Sequence, residues 1–439
     1  MSAGHDHDRP PSFHASPQEA LQAPAEEYLY LACLHEGTGV DEPDFIAVVD
    51  AEKGELINKT SMPNVGDELH HYGWNRCSSA CHGPDRSHLI VPGFRSSRIH
   101  ILNVADDPRS PMIEKVIEPE EIIGETGYSR PHTVHCMPGD NVVISMLGDA
   151  EGGGSGGFAV LDAKTFEIKG RWENGGEKPP MNYDFWYQPR KNVLVSSEFG
   201  EPNAFEPGFD LEDVAAGRYG RRLHFWNLED RKLEQTIDLG ENGLIPLEVR
   251  WLHDPDAEEG FVGAALSSTM WRWHRSNGSW AAEPVIDVES IEVEGWPFPV
   301  PGLITDLLLS MDDRFLYFSN WLHGDLRQYD VSDPANPRLT GQVQLGGVLG
   351  RESDAGRELN GGPQMLQLSL DGRRLYVTNS LYSTWDNQFY PGLRSWLLRV
   401  NCLPEGGMEV DRDFFLDLDP ARAHEVRLQG GDCTTEIFQ

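Results

Sequence analysis

The sequence predicts an all-β fold: a seven-bladed β-propeller closed by N-terminal strands that join the C-terminal strand. Three observations predict it. Helical periodicity is scarce along the 439 residues. Short apolar runs rich in Val, Ile, Leu, Phe and Tyr alternate with Gly/Pro/Asp turns, the signature of sheet strands. The order strand, turn, strand, loop, strand then recurs with a spacing of about 59 residues, longer than the compact blades of common propeller repeats.

The elements follow in order. Residues 1–27 are polar and Pro-rich and are expected to form a flexible leader, with His5 and His7 in it. Three strands come next, YLYLACL (28–34), DFIAVVD (44–50) and ELINKT (55–60). Full units then start near His71, His132, Tyr183, Glu248, Asp306 and Met365. Their second strands include NVVISML (141–147), NVLVSS (192–197), GFVGAALSS (260–268), RFLYFSN (314–320) and RRLYVTN (373–379). Most follow the same kind of turn, such as MPGD (137–140) or SLDG (369–372). The last unit has a first strand, HEVRL (424–428), and too little chain after it to finish a blade. The three N-terminal strands complete that blade, and closure removes open sheet edges. Residues 28–439 therefore read as one propeller domain, in which TTEIFQ (434–439) has no assigned place.

Lys and Arg number 36 against 71 Asp and Glu, a net charge of −35. Such a chain repels nucleic-acid phosphates and anionic lipid, so neither is an expected partner. No apolar run is long enough to cross a membrane. The N-terminus lacks the basic-then-apolar order of a secretory signal, which points to the cytoplasm. Six cysteines in a chain this long do not make a disulfide scaffold, and free thiols are expected.

The first strand of each blade lines the channel of a propeller, and its first residues face the channel mouth. That alignment turns His71, His132, Tyr183, Glu248, Asp306, Met365 and His424 inward. His424, His71 and His132 come from neighbouring blades, and three converging imidazoles suit Cu, Zn or Fe. His323, in the loop NWLHGDLRQ (320–328), is a fourth candidate ligand, and His35 occupies the matching loop of the closing blade. Glu248 and Asp306 put carboxylates across the channel, to orient an imidazole, act as a base, or pair with Arg250. His70 and His135 are out of register and are expected to face the blade interior unless a bulge intervenes. His253 reads as structural, and His88, His100, His224 and His274 as packing residues of outer strands.

Cys77 lies six residues beyond His71, about 20 Å in an extended strand. Either Gly73 folds the thiol back or Cys77 acts at another face. Cys81 follows at a C-x₃-C spacing, which is not the thioredoxin-like C-x-x-C. A zinc site of Cys77, Cys81 and His82 is an open alternative, while Cys136 and Cys33 read as strand-core residues. The glycine run GDAEGGGSGG (148–157) lacks the Lys-Ser/Thr ending of a phosphate loop and reads as a flexible loop. The long segment 199–220 is expected to cover the channel.

Several long stretches closely resemble the selenium-binding protein / methanethiol oxidase family. They include DELHHYGWNRCSS, HTVHC, YDFWYQPR, GLIPLEVRWLHDPDAEEGFVGAALSST, PGLITDLLLSMDDRFLYFSNWLHGDLRQYD, GGPQMLQLSLDGRRLYVTNSLY and AHEVRLQGGDC. The resemblance runs from about residue 28 to the C-terminus and implies a β-propeller. It also implies a copper-dependent oxidase that converts methanethiol, O2 and water to formaldehyde, hydrogen sulfide and hydrogen peroxide. Copper would sit on His71, His132, His323 and His424, with Cys77, Glu248 and Asp306 as catalytic candidates. Family members also bind selenium, attributed to the cysteine that matches Cys77. Cys-Ser-Ser-Ala-Cys here replaces the Cys-Ser-Ser-Cys of animal members, which weighs against a paired-thiol role for Cys77 and Cys81. The alternative is a non-catalytic selenium or thiol carrier using Cys77. A calcium- or zinc-dependent propeller lactonase would want more carboxylates at the mouth.

Overall fold

The computed structural model describes residues 13–77, 81, 86–176 and 178–439. Seven four-stranded antiparallel sheets form a closed ring. The closing blade holds β1 (Tyr28–Leu34), β2 (Phe45–Asp50) and β3 (Leu56–Ser61). Blade one has β4 (Gly73–Trp74), β5 (His88–Pro92), β6 (Ile99–Asn103) and β7 (Met112–Ile117). Blade two has β8 (Tyr128–Met137), β9 (Asn141–Asp149), β10 (Gly157–Asp162) and β11 (Ile168–Arg171). Blade three has β12 (Phe185–Gln188), β13 (Val193–Ser197), β14 (Arg222–Asn227) and β15 (Lys232–Asp238). Blade four has β16 (Pro246–Trp251), β17 (Glu259–Ala264), β18 (Thr269–Ser276) and β19 (Ser279–Asp287). Blade five has β20 (Ile304–Leu309), β21 (Phe315–Asn320), β22 (Asp325–Asp330) and β23 (Arg338–Gln344). Blade six has β24 (Leu366–Leu368), β25 (Arg374–Val377), β26 (Trp396–Cys402) and β27 (Met408–Asp417). Finally β28 (Arg422–Leu428) pairs with β1 and completes the closing blade, as the sequence predicts.

Burial follows from stacking sheet on sheet. Residues of β16, β20 and β28 are buried on both faces, whereas the outermost β15 alternates exposed and half-buried positions. Inner strands are therefore buried along their whole length, charged residues included, and outer strands alternate.

Residues 13–27, expected in the flexible leader, are instead docked on the propeller. A short helix, Pro17–Ala20, buries Ala20 against blades five and six. The Glu26 carboxylate takes two hydrogen bonds from the Arg374 guanidinium. The C-terminal segment also finds its place. Ile437 and Phe438 are buried, and Glu436 pairs with Arg86 in the interior.

Candidate metal centre

The innermost strands do not run smoothly past the channel mouth. Each of five blades carries one extra residue there. In β8, Pro131 to Val134 spans three steps opposite the two from Met146 to Ile144. The same extra residue occurs at Leu247–Glu248 in β16, at Thr305 in β20 and at His424–Glu425 in β28. Before β4, Leu69 pairs with Gly93 and Gly73 with Ile90, again four steps against three. Such bulges unpair a residue and re-aim its neighbours. Residues at the entries of these strands sit at positive φ: Glu68 (52°), Arg130 (61°), Ile245 (59°) and Leu303 (56°). For β-branched Ile245 this is strained backbone, of the kind that collects at working sites.

The bulges gather the histidines. Donor atoms of His70, His71 and His424 all lie within 4.8 Å of one another. The rings of His70 and His424 have centroids 3.5 Å apart. His132 adjoins the trio, with its ring 3.9 Å from that of His71 and 5.0 Å from that of His70. All four are buried. The expectation that His70 faces the blade interior is thus corrected: the extra residue before β4 turns it into the channel.

Three of the rings can be assigned a tautomer from their partners. A carbonyl oxygen only accepts, so His424 donates from Nδ1 to the Ser380 carbonyl (2.7 Å) and His70 from Nε2 to the Leu381 carbonyl (3.2 Å). The Thr133 hydroxyl donates to Asp184 (2.7 Å), so its oxygen is free to accept from His132 Nδ1 (3.0 Å). The opposite nitrogens, His424 Nε2, His70 Nδ1 and His132 Nε2, are then bare lone pairs, buried without a hydrogen-bond partner. Pinning one nitrogen and presenting the other is how proteins prepare imidazole to bind a metal. Burial holds His132 and His424 down to about 3 and lowers His70 and His71 well below their usual range, so the rings are neutral.

His71 stands between two carboxyl groups. Its Nε2 lies 3.5 Å from Glu248 Oε1 and its Nδ1 3.6 Å from Glu425 Oε2. Burial raises the Glu248 carboxyl well above its usual range, and the Asp184 charge adds to that while Arg250 opposes it. Burial likewise pushes Glu425 up to about 8 against the pull of Arg427. Below the centre Arg250 donates to Asp184 (2.8 Å) and Glu248 (2.9 Å) and lies 3.6 Å from Asp306. Asp306 is committed elsewhere: its two oxygens accept the amides of Leu307 and Leu366 at 2.7 and 2.8 Å and tie blade five to blade six.

Among the described residues, two expected members do not join the centre. His323 makes a hydrogen bond from Nε2 to the Val300 carbonyl (2.9 Å) in the turn before β22 and has no ring contact with the trio. Cys77 lies with Cys81 and Cys136 at the far end of β4 and β8, the second of the two placements its spacing allowed. Four residues of β8 separate His132 from Cys136, roughly 13 Å along a strand. His35 packs on Phe45 and shares a hydrogen bond with Pro43. His5, His7 and His82 lie outside the described residues.

An aromatic cover closes the mouth. Tyr382 stacks on His70 at 4.6 Å, and Phe199 and Phe205 pack behind it. Segment 199–220 does cover the channel, meeting the helix Ser383–Phe389 from blade six. Trp385 donates to the Phe205 carbonyl, and Gln388 exchanges two hydrogen bonds with the Phe209 backbone. This cover, assembled from loops far apart in sequence, carries no local signal of its partners.

The architecture and its mouth define a class: a closed seven-bladed propeller with a buried imidazole cluster under an aromatic lid. Within that class, the chain belongs to the 56 kDa selenium-binding protein (SBP56) family, whose model matches residues 7–439. A methanethiol oxidase from Xenopus laevis is 49% identical over 97% of this chain and 98% of its own length. The Homo sapiens methanethiol oxidase is 48% identical with the same coverage. A hypothetical selenium-binding protein from Sulfolobus tokodaii, solved by X-ray crystallography, superposes with a TM-score of 0.94 at 48% identity, covering 98% of this chain and all of that one.

Proposed function

We propose that this chain is a methanethiol oxidase that uses copper to convert methanethiol, O2 and water to formaldehyde, hydrogen sulfide and hydrogen peroxide. The observation that carries the proposal is the set of buried imidazole lone pairs with their opposite nitrogens pinned. Neutral imidazoles in this number suit copper, and His70, His71 and His424 would hold it, with His132 beside them. Copper, when bound, supplies one-electron redox chemistry and a soft partner for sulfur.

The chain's own residues do the rest. The aromatic cover of Tyr382, Phe199, Phe205 and Trp385 is buried and excludes bulk water from the centre. Glu248 takes up and returns the thiol proton. Its Oε1 is buried without a hydrogen-bond partner beside His71, and its raised carboxyl makes it a strong base once ionised. Arg250 fixes the other Glu248 oxygen and so aims the carboxyl. Cys77 takes no part at this end of the channel.

The test is metal content of the purified protein paired with sulfide release from methanethiol. His424→Ala and His70→Ala should each lose bound copper and sulfide release together. Full activity in either variant refutes the assignment. The cysteine cluster favours a second reading, a non-catalytic selenium or thiol carrier. A protein without copper that stays inactive after copper loading would support it.

A further inference from the structure

The second cluster of chemistry-bearing side chains lies away from the histidines. Cys77 Sγ is 3.2 Å from Cys81 Sγ, and Cys81 Sγ is 2.6 Å from Cys136 Sγ. All three are free thiols, buried, and close enough for their sulfurs to share one ion. Cys77 and Cys81 come from blade one and Cys136 from the end of β8 in blade two, so the cluster also bridges two blades. Its surroundings are built. The Tyr187 hydroxyl donates to the Cys136 carbonyl (2.6 Å) and sits 4.0 Å from Cys81 Sγ. Arg76 donates to the Cys81 carbonyl (3.2 Å), and Arg86 donates to the Arg76 carbonyl (3.1 Å). Ile437 and Trp186 complete the apolar wall. A cavity of about 410 Å³ is lined in part by Met137, Val143, Val160 and Trp172, which belong to the same buried apolar cluster as the three cysteines.

We propose that Cys77, Cys81 and Cys136 form a three-sulfur site for a monovalent thiophilic cation, Cu(I), separate from the histidine centre. Thiolate ligands select soft ions such as Cu(I) and zinc. A structural zinc site needs four donors. Among the described residues the group of three sulfurs includes no imidazole or carboxylate, and the Tyr187 hydroxyl lies 4.0 Å from Cys81 Sγ. Three sulfurs around one ion is a coordination that monovalent copper accepts and zinc does not favour. The two flanking arginines are each already paired with a carboxylate, Arg76 with Asp140 and Arg86 with Glu436. The site does not depend on the oxidase assignment, since it shares no residue with the histidine centre.

The experiment titrates the fully reduced, anaerobic full-length protein with Cu(I) against a chromophoric Cu(I) chelator, with copper–sulfur ligation read by X-ray absorption. Wild type and His424→Ala should both hold one sulfur-ligated Cu(I). Cys136→Ser should weaken that binding at least 100-fold. Cys77→Ser should do the same, which guards against a folding defect in one variant, and circular dichroism checks that each is folded. A reduced wild type with no sulfur-bound copper overturns the proposal. So does a folded Cys136→Ser protein that binds as tightly as wild type, or a His424→Ala protein that loses the sulfur signal. Loss of methanethiol oxidation in His424→Ala with the sulfur signal intact separates the fate of this site from that of the oxidase reading.

Discussion

Replacing Arg250 with Leu should be the most costly single change near the centre, and its cost should depend on pH. Among the described residues Arg250 is the one guanidinium donating to Asp184 and Glu248 and facing Asp306, all of them buried. Leu keeps much of the volume and removes the charge. Breaking a buried ion pair by removing one partner costs about 3–5 kcal/mol, because the remaining charge is left uncompensated. For 439 residues, an unfolding entropy of about 2.1 cal/mol/K per residue makes that a fall of about 3–5 °C in Tm. The pH dependence follows from the carboxyls. Burial already pushes Asp306 up to about 7 with Arg250 present. Without Arg250 the folded-state Glu248 and Asp306 carboxyls rise further above their unfolded values, and Asp184, which Arg250 helps to hold below its usual range, loses that pull. A raised acid contributes stability that is whole below its unfolded pKa and is lost as pH rises through its folded pKa, by up to about 1.4 kcal/mol per pH unit per group. The gap between wild type and Arg250→Leu should therefore widen from pH 5 to pH 8. Denaturant unfolding of both proteins at those two pH values measures it. A gap under about 1 kcal/mol at pH 8, or one that does not change with pH, would refute the charge accounting.

Three further outcomes are expected. Thr133→Val removes the hydroxyl that accepts from His132 and donates to Asp184; it should lower metal affinity about 10–100-fold with little change in Tm, read by competitive chelation. Gly73→Ala would place a Cβ 2.5 Å from the Val134 carbonyl oxygen. Blade two must give way, so about 1–3 kcal/mol of stability should be lost by calorimetry. Burial lowers His253 from its ordinary 6.5 to about 4. The unfolded chain then binds the proton first, so this contribution is whole above pH 6.5 and lost as pH falls toward 4, about 3 kcal/mol in all. His253→Gln should flatten the stability profile in that window, and an unchanged slope would show that other groups set it.

The ring, its blade order and its closure were legible because buried inner strands and alternating outer strands leave different periodicities. His71, His132 and His424 were legible because equivalent strand positions face one axis. His70 was not, because a single extra residue before β4 reverses the parity that strand arguments rely on. Asp306 occupies an inward position, yet one backbone amide of its own strand and one of blade six claim it, and no side-chain pattern encodes that. His323 was placed at the right end of a blade, but the reach of its turn is decided by Val300, 23 residues upstream. From sequence alone Cys136 is a strand-core residue. Its partnership with Cys77 and Cys81 depends on how two blades stack at their ends, 55 residues apart. Ala20 shows the same limit: a polar, Pro-rich stretch still found an apolar seat.

The pairing of β28 with β1 has a consequence for biosynthesis. Strand Tyr28–Leu34 leaves the ribosome early, yet its neighbour is made almost four hundred residues later. Until then its free edge is open to any passing strand. His70 and His71 likewise precede His424 by about 350 residues. The imidazole cluster thus has no existence on a nascent chain. Any ion the complete cluster holds must arrive after β28 has been made and has paired with β1.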